Sequence, residues 1–183
     1  MKLVDKIKSI HFNISRIYRM MKIQNRSEIV WNELIKLNKK EGWHFGQYEN
    51  EKCIETSFKI NDGLVMKFQY SINENNLIFR AVILSEFNID STNDIMVLSS
   101  HFNGLLNRGI VRVDIKYNYV EYVYSGNLLL YLLFPEEIHF DIERHYNITK
   151  DCFWAYSTML KSGDNPVFVI AELLERVEKE NQG

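Results

Sequence analysis

The chain has 183 residues, 46% of them apolar and 13% aromatic, enough for one domain with a sizeable core. A formal net charge of −2 and a pI near 6.2 lack the basic excess of a domain built to neutralise phosphates, so nucleic acid is not an expected partner. Cys53 and Cys152 make neither a disulfide framework nor a zinc-ligand pair, and no apolar run nears the roughly 20 residues that cross a bilayer. With no signal-peptide pattern at the start of the sequence, a reducing, cytoplasmic setting is the expectation.

Residues 1–24 place Leu3, Ile7, Ile10, Ile14, Ile17 and Met21 at alternating steps of four and three, a heptad seam along one helix face. Lys2, Lys6, Lys8, Arg16, Arg19 and Lys22 occupy much of the remainder. This basic amphipathic helix, taken as a unit over 1–26, could pack on its own domain, pair with a second copy, or lie on a membrane surface. Residues 27–183 read as one α+β domain.

Ser27 is placed to cap the next helix, with Val30, Trp31, Leu34 and Leu37 as its buried stripe and Gly42 as its stop. The period then changes to two. Ile54, Thr56, Phe58 and Ile60 alternate with Cys53, Glu55, Ser57 and Lys59, and Asn61-Asp62-Gly63 is a hairpin turn. Leu64, Met66, Phe68, Tyr70 and Ile72 share a face of the returning strand, and a third strand is predicted over 77–84. Ser91 or Asn93 starts a helix with Ile95, Leu98, Phe102 and Leu105 inward, ending at Asn107-Arg108-Gly109. Strands resume with Val111, Val113 and Ile115, and both 119–124 and 127–134 read as extended chain. Pro135 with Glu136 and Glu137 resembles a helix first turn, predicting a short helix over 136–145. Two more helices are predicted over 150–161 and 166–180.

The stretch "HYNITKDCFW", residues 145–154, brings a histidine, an aspartate and a cysteine together. If Thr149 caps a helix there, Asp151 meets the positive end of the dipole and Cys152 falls on the buried stripe as a small apolar residue. A nucleophilic pair would require a thiol activated at the helix start and His145 folded back onto it. His139 and His145, with Asp141 and Glu143 between them, do not share a helix face and make a poor metal group. No phosphate-binding loop, dinucleotide glycine pattern, nucleophile elbow or HExxH is present in the sequence. Trp154, flanked by Thr158 and Lys161, sits off the apolar stripe, and reads either as an exposed interaction residue or as one covered by a neighbouring helix such as 1–24 or 166–180.

The segments "WNELIKLNKKEGWHF", "ETSFKINDG", "HFNGLLNRGIVRVDI" and "LKSGDNPVFVIAELLE" resemble the YbjN-like family, whose members share the fold of type III secretion chaperones. Asn103 stands where that family often has a helix asparagine before a strand, and Gly163 with Pro166 resembles its late Gly-x-x-Pro break. The resemblance implies a bent antiparallel sheet with helices packed on one side, no catalytic residues, and binding of a protein or protein segment, with homodimerisation typical of the related chaperones. The expectation is thus a non-catalytic bacterial adaptor or chaperone-like regulator that needs no cofactor or metal. Its partner-binding candidates are Trp154 and the seam Leu3, Ile7, Ile10, Ile14, Ile17 and Met21. A membrane-peripheral module using the basic helix, or a thiol enzyme using Cys152 and His145, are the alternatives.

Overall fold

Alternating apolar positions from residue 53 onward, joined by a short edge strand at 45–48 that no alternation announces, build a six-stranded sheet in which every neighbouring pair is antiparallel. The structure, a computed structural model, describes residues 14, 15, 18, 25–61 and 64–182. In chain order the elements are α1 (Arg26–Lys40), β1 (Phe45–Tyr48), β2 (Cys53–Asn61), β3 (Leu64–Asn73), β4 (Asn76–Leu84), α2 (Thr92–Leu105), β5 (Ile110–Asp114), β6 (Tyr119–Asn127), α3 (Leu128–Leu133), α4 (Glu136–Ser162) and α5 (Pro166–Gln182). The strand order is β1-β2-β3-β4-β6-β5, so the chain leaves β4 through α2 to the far edge and returns inside it. Register shifts between Lys59 and Asn61 and between Val82 and Leu84 interrupt the ladders.

The helices cover the face that carries Ile54, Phe68, Tyr70, Phe79, Val120 and Tyr122, all nearly inaccessible to solvent. Two apolar clusters result. One joins α1, α3 and the first half of α4 to β2, β3 and β4; the other joins α2, α5 and the second half of α4 to the β5–β6 side. The long helix α4 therefore spans both halves of the core.

Several local expectations change. Asn25 rather than Ser27 precedes α1, and the Ser27 hydroxyl accepts from Lys52 Nζ at 3.0 Å. The run 127–134 is strand end plus helix: the Asn127 side chain accepts from the Leu129 N–H at 2.8 Å and caps α3. An unbroken apolar run has no period to tell strand from buried helix, which is why composition pointed the wrong way. The two helices expected over 136–145 and 150–161 are one helix, with Asn147 and Thr149 inside it. Ile138 and Ile142 are buried four residues apart while Phe140 points outward, a helical spacing that short-range alternation had disguised. As expected, Gly163 ends α4, taking the left-handed conformation that glycine adopts without steric cost.

Asn103 has a definite structural job. Its amide donates to the Val111 carbonyl at 3.0 Å and its oxygen accepts from the Val111 N–H at 2.7 Å, so α2 holds the edge strand β5 by a two-point clamp. Asn165 does a similar service for α5, accepting from the Val167 N–H at 3.0 Å ahead of Pro166.

Candidate partner-binding surface along the long helix

A helix of 27 residues presents one face to the core and another to its flank. On the core face stand Asp141, His145, Thr149 and Cys152. Thr149 is no cap: its hydroxyl donates to the His145 carbonyl four residues back at 2.7 Å, within the helix. Cys152 therefore has no helix N-terminus beside it, and burial pushes its thiol well above the ordinary range. Asp151 likewise gains nothing from a dipole; burial raises its carboxyl pKa against the pull of Lys150 and Arg176. Seven residues of helix separate His145 from Cys152, about 10 Å of axial rise, so the thiol and imidazole do not meet.

His145 is enclosed by rings instead. Tyr122 stacks on it at 5.1 Å, with Phe68, Phe79 and Tyr70 at 5.4, 5.8 and 6.2 Å. Among the described residues neither ring nitrogen has a side-chain or backbone partner of normal hydrogen-bond geometry. Burial lowers its pKa to about 3, against a smaller upward pull from the Tyr122 backbone, so the ring is neutral at physiological pH. His139 lies elsewhere, 3.5 Å from Glu143 and 6.2 Å from the Trp43 ring. Among the described residues no His, Cys, Asp and Glu side chains gather as a metal-holding group.

Asp141, one turn before His145, is the centre of a buried polar network. Its carboxylate accepts from the Tyr131 hydroxyl at 2.7 Å and the Tyr124 hydroxyl at 3.0 Å, and pairs with Arg144 and, at 3.4 Å, with Arg108. Buried Gly126 lies against Tyr131; a Cβ there would meet its hydroxyl and ring, so only glycine leaves space for the network. These donors satisfy the charge that burial would otherwise make costly. The arrangement is a structural tie between β6, α3 and α4.

The flank of α4 offers a different surface. Two hollows follow one another along it. The first, about 410 Å³, is lined by Trp43, Phe58, Ile142, Glu143, Tyr146 and Asn147. The second, about 280 Å³, includes Ile60, Lys150, Phe153, Trp154, Lys161 and Arg176 among its walls. Between them the Tyr146 hydroxyl donates to the Lys59 carbonyl at 2.9 Å, tying the end of β2 to the helix. From Ile142 to Lys161 the helix rises about 29 Å, a long stretch of grooved surface.

Trp154 is half-buried in the second hollow, and the Arg176 guanidinium of α5 lies over its ring at 5.1 Å. Arg176 and Lys150 both pair with Glu180, at 2.9 and 3.6 Å. Of the seam residues, Ile14 is helical and 61% exposed, while Leu3, Ile7, Ile10, Ile17 and Met21 lie outside the described residues. Trp43, Phe58 and Tyr146 were not singled out from the sequence as surface residues. They stand far apart in the chain and only the fold assembles them; the lone signal was a tryptophan just beyond the Gly42 stop.

Two comparisons yield nothing: no protein-family model and no curated protein matches the chain. A search of solved structures finds the crystal structure of YbjN from E. coli, described as a candidate transcription regulator. The two are 12% identical, with a TM-score of 0.51 over 67% of this chain and 87% of that one. At that identity the likeness speaks to fold alone. No helix among the described residues is long and apolar enough to cross a membrane. An antiparallel six-stranded sheet, helices on one face and the match to YbjN together establish that this chain has the YbjN-like α+β fold.

Proposed function

We propose that this protein is a non-catalytic regulatory adaptor that works by binding another protein, or a segment of one, along the flank of α4. The observation that carries the reading is the pair of aromatic-lined hollows spaced along one helix face. Rigid aromatic walls beside charged rims supply what interaction hot spots need: apolar area at small entropic cost and polar groups that fix orientation. The exposed seam residue Ile14 supports a second contact through the N-terminal segment, with a partner or with another copy of the chain. The description of YbjN as a candidate regulator agrees with a regulatory role. Burial of Cys152 and its distance from His145 weigh against thiol chemistry at that pair.

Affinity capture from the native cells, comparing wild type with Trp154→Ala, tests the reading. A reproducible stoichiometric partner that falls at least tenfold in the folded variant supports it. Equal capture by wild type and variant, or no partner with either, counts against this surface.

A further inference from the structure

The first hollow has a chemistry of its own. Trp43 and Phe58 meet edge to face, with ring centroids 5.1 Å apart and planes at 85°. Phe58 and Tyr146 do the same at 5.8 Å and 82°. Successive rings are thus turned nearly perpendicular to one another around the hollow that all three line. Ile142 contributes an apolar wall, Asn147 a neutral polar group, and Glu143 a carboxylate at the rim. Among the described residues no lysine or arginine side chain lines it. In the neighbouring hollow Lys150, Lys161 and Arg176 give the opposite bias.

We propose that the Trp43–Phe58–Tyr146 hollow is a binding site for a small organic cation bearing a methylated ammonium group. Aromatic faces carry negative quadrupole density and attract a cation within about 6 Å of the ring centre. A methylated ammonium sheds water more readily than a primary amine, so it suits apolar walls better than a lysine head does. Glu143 supplies the complementary charge, and its Oε1 lies 3.5 Å from His139 Nε2, which orients it. The volume falls within the usual range for small-ligand sites and leaves space beyond the head group for a short tail.

The walls are also held in place before any ligand arrives. The Trp43 N–H donates to the Asn38 carbonyl at 3.1 Å, fixing the backbone beneath the indole. Phe58 packs edge to face on Phe68 at 5.1 Å, and the Tyr146 hydroxyl is anchored on Lys59. Such preorganisation lowers the ordering cost of binding. The protein-binding reading draws on this same hollow, but binding of a methylated cation is read by direct titration of the isolated chain, and partner capture through Trp154 in the second hollow, so either result can fail without the other.

The test uses the full chain, labelled with ¹⁵N, titrated with choline and separately with 3,3-dimethylbutan-1-ol, its neutral carbon isostere. The indole N–H resonances of Trp31, Trp43 and Trp154 are assigned by single Trp→Phe substitutions. The site predicts a saturable shift at Trp43 with choline, little change at Trp154, and at least tenfold weaker binding of the isostere. Glu143→Gln should weaken choline several-fold, and Tyr146→Leu by tenfold or more, with buried Trp31 reporting that each variant remains folded. The Glu143 variant alters only a rim group and stands alone if Tyr146→Leu unfolds. No movement of Trp43 at millimolar choline, or equal affinity for the isostere, overturns the proposal. So does tighter binding of Nα-acetyl-lysine amide than of its trimethylammonium counterpart.

Discussion

Replacing Asp141 by alanine removes the acceptor on which the buried network converges. The carboxylate is fully buried, and Tyr131, itself inaccessible, donates to it at 2.7 Å. In Asp141→Ala the Tyr131 hydroxyl is left without that acceptor in the core, while Arg144 and Arg108 lose theirs at the edge. Breaking a buried charged cluster from one side costs about 3–5 kcal/mol. For a domain of this size that is a fall of about 10 °C in Tm. Tyr131→Phe, which deletes one hydroxyl and keeps the ring, should cost about 1.5–3 kcal/mol, as for a hydrogen bond to a charged group. The double variant should be less destabilised than the sum by about 1–2 kcal/mol, because the Tyr131 hydroxyl that Asp141→Ala orphans is then gone, leaving only the Tyr124 hydroxyl without the carboxylate. Urea unfolding at neutral pH measures all three, with a constant slope showing that the comparison is sound. A loss below about 1 kcal/mol for Asp141→Ala, or strict additivity, would refute the claim that the network ties the fold together.

His145 predicts an acid sensitivity. Its folded pKa, about 3, lies below the unfolded value near 6.5, so the unfolded chain binds the extra proton between those limits. Its contribution is fully present above pH 6.5 and is lost as pH falls toward 3, at most about 1.4 kcal/mol per pH unit. His145→Leu should flatten the stability profile between pH 6.5 and 4 by about 3 kcal/mol relative to wild type; parallel profiles would contradict the assignment. Asn103→Ala should cost about 1–2 kcal/mol and speed amide exchange in β5 before other strands, whereas uniform exchange would deny the clamp its local role. Cys152 should resist iodoacetamide under native conditions and react on unfolding; rapid native labelling would reopen the thiol alternative.

Periodicity made most helices and every strand but β1 legible, because each strand needs only one inward face; the short edge strand β1, with no buried residue, carries no such signal. Thr56 and Phe58, or Phe68 and Tyr70, advertise that face two residues apart. The alternation failed where both sides of the chain are covered or where polar residues serve the interior. Leu128–Leu133 is apolar throughout, and its helical turn is set by one capping side chain from Asn127. In α4, Asp141, His145 and Thr149 occupy core positions, so a helix that runs unbroken looked like two with a polar gap. Tertiary partners explain them: two tyrosines and two arginines for Asp141, an aromatic enclosure for His145, and the helix's own backbone for Thr149.

The surface was less legible than the fold. Trp154 drew attention because its helical position falls beside the apolar stripe, and it does line a hollow, but the arginine that lies over it comes from α5. The aromatic hollow joins the α1–β1 connection, β2 and α4, a meeting of distant segments that no local spacing encodes. On the open face of the sheet Glu55, Lys67, Gln69, Arg80 and Glu121 cluster, with charges of both signs close together. The several aromatic rings that line the helix flank are the reason it, rather than the sheet, is proposed as the partner surface.

A photoreactive side chain placed at Ser157, in the second hollow, and separately at Ser57, on the exposed face of β2, tests that assignment most directly. After irradiation in the native cells, the account predicts a discrete cross-linked partner from position 157 and none from position 57. Cross-links from position 57 alone, or from neither position, would contradict it.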